Sequence, residues 1–166
     1  MKYERFEDLP VWKAAMDVAS LTYALTRDRY FSQPGDLLSQ LRRAALSISN
    51  NIAEGFERGS TAELLTFLYI ARGSAGEVRS MLHFVERDAS AEHLKSEISN
   101  LKLITENCAK QIRGWADHLQ NSDIKGQRHL TERSRQAFDR ANNAAAFVKQ
   151  IDEMVARARK AREGGE

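Results

Sequence analysis

Cysteine and proline are scarce in this chain, and long apolar runs are missing. The 166 residues include one cysteine and two prolines. A lone cysteine excludes an internal disulfide and fits a reducing compartment, and so few prolines leave room for long helices. No run approaches the ~18 consecutive apolar residues of a membrane span, and Met1 to Arg5 lacks a signal-peptide core. We therefore expect a cytoplasmic protein with no membrane partner.

A strong charge of either sign is missing as well. The chain has 25 basic and 23 acidic residues, a formal net charge of +2. This balance does not by itself indicate a nucleic-acid-binding protein. The basic excess lies in residues 121–166, which hold ten basic and seven acidic side chains. Any site for a polyanion must therefore come from local clustering.

The patterns of metal and nucleotide sites are also missing. The four histidines form neither a Glu-x-x-His pair nor a His-Glu-x-x-His motif. The glycine-rich run Gly73 to Gly76 lies inside a helical pattern, without the strand and lysine of a phosphate-binding loop. We expect no metal, no cofactor and no catalytic residue.

The densest pattern in the chain is a helix that begins at Leu37. Its apolar residues recur at three- and four-residue steps, the period of one helix face. These residues are Leu37, Leu41, Ala44, Ala45, Ile48 and Ile52. At 100° per residue, Arg43, Ser47, Asn50 and Glu54 fall together on the flank and back of that face. We call these four residues the polar stripe.

Three further helices follow from the same periodicity. The first is predicted from Leu9 to about Tyr30, with Asp8 as its N-cap. The third is predicted to run to about residue 87, and the fourth from about residue 94 to 119. Helices of about 20 to 28 residues with short links predict an all-α, antiparallel up-and-down four-helix bundle.

Glycine and serine mark the predicted junction between the second and third helices. Gly55 or Gly59 can supply a left-handed cap that ends the second helix. Ser60 and Glu63 form a capping box that starts the third. The centre of the third helix, Ala71 to Gly76, is made of small residues, although each interior glycine lowers helix stability by up to ~1 kcal/mol relative to alanine. This cost suggests that another backbone comes close there.

We expect two domains, the bundle at residues 1–120 and a C-terminal part at residues 121–166. The segment Asn121 to Gly126 breaks the helical pattern and is the expected linker. Beyond it, an alanine-rich apolar stripe predicts one extra helix, followed by a basic tail at 157–162. We expect the extra helix to pack on the bundle or on a neighbouring subunit.

A family resemblance is concentrated in the second and third helices. The matching residues are Gln40 to Ala45, Ser47-Ile48, Asn51 to Gly55 and Arg58, with Leu9 to Trp12 before them and Phe67 to Ser74 and Glu77 after them. They resemble the signature of small bacterial four-helix-bundle proteins first noted as products of intervening sequences within 23S ribosomal RNA genes. That family includes the accessory variability determinant of diversity-generating retroelements. The resemblance implies a homo-oligomer, most simply a pentamer, and a possible reverse-transcriptase partner.

The polar stripe has three interpretations. It is a solvated helix face, or a subunit interface formed by Arg43, Ser47, Asn50 and Glu54, as the pentameric relatives favour. In the third interpretation the polar stripe is part of an RNA- or DNA-binding surface that contacts phosphates. The affinity of such a surface for nucleic acid falls as the salt concentration rises. The arginines proposed for that surface are Arg42, Arg43, Arg58 and Arg72.

Two side-chain groups were weighed as catalytic. Cys108 lies in phase with apolar neighbours, which predicts a small buried side chain and not a nucleophile. Arg113 and His118 resemble the Arg-x4-His motif of HEPN ribonucleases, or they are surface residues beside Trp115. We predict a non-enzymatic, homo-oligomeric bundle that acts as a nucleic-acid-binding or reverse-transcriptase-associated accessory factor. The alternatives are a protein-binding scaffold and, third, a HEPN-like ribonuclease.

Overall fold

The computed structural model describes residues 3–33 and 35–121, together with residues 140, 143–144, 147–151 and 153–154. The chain forms two compact units, Met1–Arg128 and His129–Glu166. The described residues of the second unit are helical. The predicted linker after residue 121 and the predicted basic tail lie outside the described residues.

Four long helices make up the first unit. They are α1 (Pro10–Leu25), α2 (Leu37–Glu57), α3 (Thr61–Val85) and α4 (Lys95–Gln120). Helix α1 packs against α2 and α4, and α3 packs against the same two helices. No strand occurs among the described residues. The predicted fold class, a four-helix bundle with an additional C-terminal helix, is confirmed.

The core of the bundle is formed by the apolar faces of all four helices. Its fully buried members include Val18, Leu41, Ile48, Ile52, Leu64, Leu68, Val78, Leu82, Ile98, Leu101 and Ile112. Burying one such side chain stabilises the fold by about 1.5–3 kcal/mol. Cys108 lies within this core, as predicted. Among the described residues, none of the helices has an apolar stretch long enough to cross a lipid bilayer.

The predicted boundaries of the first helix were wrong at both ends. Asp8 belongs to a short 3₁₀ turn, and the N-cap of α1 is Leu9, with Pro10 as the first helical residue. The helix ends at Leu25, and a second 3₁₀ turn follows. Tyr30 and Phe31 are both buried in that turn. Helix α1 therefore ends about five residues earlier than predicted, and its C-cap is Thr26, whose backbone N–H donates to the Thr22 carbonyl and completes the last helical turn.

The glycines of α2 and α3 have roles opposite to those predicted. Among the described residues only Gly35 has a positive φ, so neither Gly55 nor Gly59 forms a left-handed cap. Gly55 lies buried inside α2, and a Cβ built there would lie 2.7 Å from the Cβ of Phe67. Within the described residues the close approach is at Gly55, and Gly73 and Gly76 take no part in one. A Cβ at either of those two would meet nothing within 4 Å.

The predicted capping box at the start of α3 is confirmed. The Ser60 hydroxyl accepts a hydrogen bond from the Glu63 backbone N–H at 3.3 Å. It donates to the Glu63 carboxylate at 2.7 Å. Because Arg58, Gly59 and Ser60 are the only residues between the two helices, α2 and α3 run antiparallel as neighbours. This short link fixes the surface that the two helices form together.

Candidate interaction surface

The polar stripe lies on the side of α2 that faces α3 and solvent. Arg43 and Asn50 are exposed, and Ser47 is half-buried. The Oγ atoms of Ser47 and Ser74 are 2.9 Å apart, so this pair links α2 to α3. The Asn51 amide donates to the Ser47 Oγ at 2.9 Å. Ser47 is therefore held within the chain, and the outer members of the stripe face water.

At the C-terminal end of the polar stripe, contacts of Arg58 join the end of α2 to the start of α3. Arg58 donates to the Glu54 carboxylate at 2.6 Å and lies 3.9 Å from a Glu63 oxygen. Its guanidinium also lies 5.2 Å from the centre of the Phe67 ring, a cation–π distance. The hydrogen bond to Glu54 raises the pKa of Arg58. Arg58 therefore has a structural role at this junction.

A second predicted arginine, Arg42, is held against α1. Its Nε donates to the Thr26 hydroxyl at 2.8 Å, and its Nη2 donates to the Thr26 carbonyl at 3.2 Å. The guanidinium lies 4.8 Å from the centre of the Tyr23 ring. These contacts take up several of its donors. Arg42 thus fixes the C-terminal end of α1 and lies on the α1 side of α2.

The other two arginines, Arg43 and Arg72, are exposed. Neither has an ion-pair partner within the part of the chain that the structure describes. Arg72 lies seven residues before Arg79, on the same side of α3. Because Arg79 pairs with Glu106 of α4 at 3.7 Å, Arg72 lies toward α4. The four arginines are thus spread over three sides of one bundle.

An open groove of about 570 Å³ runs between α2 and α3. Arg43 and Ser47 line it from α2, and Glu77, Ser80 and Met81 line it from α3. Its charged and apolar groups are the Arg43 guanidinium, the Glu77 carboxylate and the Met81 thioether. Sequence analysis found Arg43 and Ser47 but did not assign the three α3 residues to this surface. Their place in the groove depends on how α3 is rotated about its axis relative to α2.

Other polar contacts tie the helix links together. The Tyr30 hydroxyl donates to the Asp88 carboxylate at 3.0 Å. A ring nitrogen of His93 lies 3.1 Å from the Asp28 carboxylate. Sequence analysis missed both pairs, because their members are 58 and 65 residues apart in the chain. They hold the α1–α2 link against the α3–α4 link.

Three side chains are candidates for catalysis: Cys108, Arg113 and His118. Burial raises the pKa of the Cys108 thiol to about 12, so it is not a thiolate at neutral pH. Arg113 lies 3.5 Å from Asp117, and both are exposed, as is His118. Among the described residues, no three His, Cys, Asp or Glu side chains are grouped so as to hold a metal ion.

These features define a class of protein: an all-α bundle whose α2–α3 side carries a polar, open surface. The sequence comparison places it more narrowly. Residues 7–114 match the family described as 23S rRNA-intervening sequence protein. The chain belongs to this family.

One solved structure extends the comparison to the fold. It is a crystal structure described as a protein with unknown function from the S23 ribosomal protein family, from Bacteroides thetaiotaomicron. The two chains are 20% identical, with a TM-score of 0.54, over 64% of this chain and 97% of that one. At this identity the similarity shows a shared fold alone. A comparison with curated proteins gave no match.

Proposed function

We propose that this protein is a non-enzymatic helical bundle that assembles with copies of itself, as a pentamer, and binds RNA or DNA. Such an assembly serves as an accessory factor, and a reverse transcriptase is the proposed protein partner. The family description refers to ribosomal RNA genes, which favours RNA as the first ligand to test. The pentamer comes from the resemblance to the retroelement relatives.

One observation carries the nucleic-acid proposal: Arg43 and Arg72 are exposed cations without an ion-pair partner among the described residues. Two such arginines on different sides of a bundle give little affinity for a polyanion. In a ring of subunits each arginine occurs once per copy. Many weak contacts from one assembly then bind a polyanion more tightly than a single contact does. Arg42 and Arg58, which have contacts within the chain, add positive charge on the α1 side of α2 and at the α2–α3 link.

The polar stripe is the proposed subunit interface. Ser47 and Glu54 have partners within their own chain, so they shape this surface without needing a neighbour. Arg43 and Asn50 are exposed and remain able to contact one. A guanidinium and an amide at a subunit boundary supply directional hydrogen bonds. These bonds select one relative orientation of the copies.

The test of the nucleic-acid proposal is a binding titration at two salt concentrations. Fluorescence anisotropy of a labelled single-stranded RNA, and of the matching DNA, is measured at about 50 mM and about 200 mM salt. The Arg43→Gln/Arg72→Gln variant is compared with Arg29→Gln/Arg87→Gln. Each pair removes two exposed arginines, so both variants have the same net charge.

We expect the Arg43→Gln/Arg72→Gln variant to lose about tenfold or more in affinity at low salt and to show a shallower salt dependence. The matched control should change little. Equal losses in both variants would mean that net charge alone attracts the polyanion. No binding by the wild type at low salt would leave the protein-binding scaffold. Cleavage of the RNA that disappears in His118→Ala would instead support the ribonuclease.

A further inference from the structure

The outer face of α3 carries an exposed stripe without a single charged side chain. Its members recur at three- and four-residue steps. They are Ala62, Thr66, Tyr69, Gly73, Gly76, Ser80 and Phe84, all exposed. We call them the α3 outer stripe. The steps average about 3.7 residues, close to the 3.6 residues of one α-helical turn, so these residues lie along one face of α3.

A helix face that meets only water normally carries charged residues. The outer side of α4 does so, with Lys110, Arg113 and Asp117 all exposed. The α3 outer stripe instead exposes Tyr69 at 43% and Phe84 at 65%. The α3 outer stripe thus differs from the outer side of α4 in having two exposed aromatic side chains and no charge between them.

At the centre of the α3 outer stripe, two glycines leave the helix backbone uncovered. Gly73 and Gly76 are exposed, and a Cβ at either position would meet nothing within 4 Å. Glycine inside a helix reduces its stability. Within the described chain, no neighbouring group fills the space that a side chain at either position would occupy. A glycine surface allows the backbone of a partner to approach closely. The closest approach of a partner is therefore expected here.

The charges beside the stripe indicate what the partner is. Arg72 lies along one edge and Glu77 along the other. Neither has an ion-pair partner within the part of the chain that the structure describes. When two such faces meet side by side, the cationic edge of one can contact the anionic edge of the other. The surface is thus complementary to itself, which favours a second copy of this chain.

The size of the surface agrees with a contact wider than one helix. Residues 62–84 extend over ~35 Å, and a helix is ~10 Å wide, so the stripe presents roughly 350 Å² per copy. A stable interface buries about 800 Å² per partner. The α2–α3 groove, which begins at Glu77, continues the surface and supplies additional area. The stripe and the groove therefore form the centre of such an interface, which must extend over neighbouring residues to reach this size.

We propose that the α3 outer stripe, with the adjoining groove, is the surface through which copies of this chain pack, with Gly73 and Gly76 at the closest approach. This inference rests on the proposed homo-oligomer, to which it assigns a helix face. It differs from the polar-stripe interface in giving the central contact to α3 and not to α2.

The test introduces a charge at the centre of the stripe. Gly73→Glu is compared with Gly114→Glu, a substitution at an exposed glycine inside α4 that also has nothing within 4 Å of its Cβ position. The molar mass of each variant is measured by size-exclusion chromatography with light scattering at micromolar concentration. Circular dichroism is recorded on the same samples. The wild type and Gly114→Glu should have the same oligomeric mass.

We expect Gly73→Glu to lose at least half of the wild-type mass while its helical spectrum is kept. An unchanged mass for Gly73→Glu would overturn this inference and leave the proposed oligomer in place. A wild type that is a single subunit would remove the oligomer itself. Phe84→Lys, at the end of the stripe, is a second variant that does not depend on a glycine. If Gly73→Glu fails to fold, an unchanged mass for Phe84→Lys overturns the inference.

Discussion

Two sides of the α2–α3 pair use glycine in opposite ways. On the inner side, Gly55 lets α3 come close, because a Cβ there would lie 2.7 Å from that of Phe67. On the outer side, Gly73 and Gly76 have open space around them. The inner glycine improves packing within the chain, whereas the outer glycines only reduce helix stability within the described bundle. The contact between copies inferred above would give the outer pair a role that the bundle does not.

The same contrast separates the arginines. Arg42 and Arg58 each contact an aromatic ring and a hydrogen-bond acceptor within the chain. Arg43 and Arg72 have no such partner among the described residues. Replacing one of the first pair should therefore affect folding as well as binding. Replacing one of the second pair should leave the folding of the single chain unchanged, which makes Arg43 and Arg72 the cleaner probes.

The largest expected difference between the two faces of α3 comes from truncating a side chain on each. Leu68 is fully buried, and Ile70 is 47% exposed. Leu68→Ala should reduce the free energy of unfolding by about 3 kcal/mol through lost burial and a cavity. Ile70→Ala should reduce it by about 0.5 kcal/mol. Urea denaturation followed by circular dichroism measures both.

Both substitutions are best made in the Gly73→Glu background, where the inferred contact between copies is broken. Assembly would otherwise add to the apparent stability. Similar losses for the two variants in that background would contradict the assignment of Ile70 to an exposed face. A larger loss for Ile70→Ala in the wild-type background would instead place that residue within the subunit contact.

The next largest effect compares the two kinds of glycine directly. Gly55→Ala should reduce the free energy of unfolding by about 2 kcal/mol, because the new methyl group overlaps Phe67 and overpacking outweighs the gain in helix propensity. Gly73→Ala should raise it by up to about 1 kcal/mol in the isolated bundle. Thermal denaturation of both variants in the Phe84→Lys background, where the inferred contact between copies is broken, measures the opposite signs at equal concentration. A stabilising Gly55→Ala would show that α2 and α3 can move apart at little cost.

The apolar pattern predicted most of the fold, because a three- and four-residue period depends only on local geometry. The start of α2 at Leu37 and the cap of α3 at Ser60 were both predicted. The end of α1 was not, because the apolar residues Tyr30 and Phe31 are buried from a separate 3₁₀ turn and not from a longer helix. A helical pattern alone gives no warning of such a tertiary requirement.

The candidate surface was less predictable for a related reason. Arg42 and Arg43 are adjacent in sequence but point about 100° apart around the helix. Whether Arg42 is held by Thr26 depends on how α1 lies against α2. The Ser47–Ser74 contact likewise depends on the register of two helices. Sequence analysis identified the polar stripe but could not separate the members that have partners in the chain from the members that do not.

The smallest expected effect concerns acid stability at the far end of α3. Glu86 accepts hydrogen bonds from the Lys102 ammonium at 2.6 Å on both oxygens, which joins α3 to α4. This hydrogen bond, with a further contribution from His83, lowers the pKa of Glu86. A lowered carboxyl pKa favours the folded state above the unfolded pKa of about 4.3. The contribution is lost as the pH falls through the folded pKa.

Glu86→Gln should therefore lose less stability than the wild type when the pH falls from about 5 to about 3. The midpoint of urea denaturation at each pH measures this difference. Glu57→Gln is the control, because Glu57 is exposed at the end of α2 and has no ion-pair partner in the described ranges. If Glu86→Gln followed the wild type across this interval, the pair with Lys102 would contribute nothing to the acid dependence. The contact between α3 and α4 would then depend on apolar packing and on the Arg79–Glu106 ion pair.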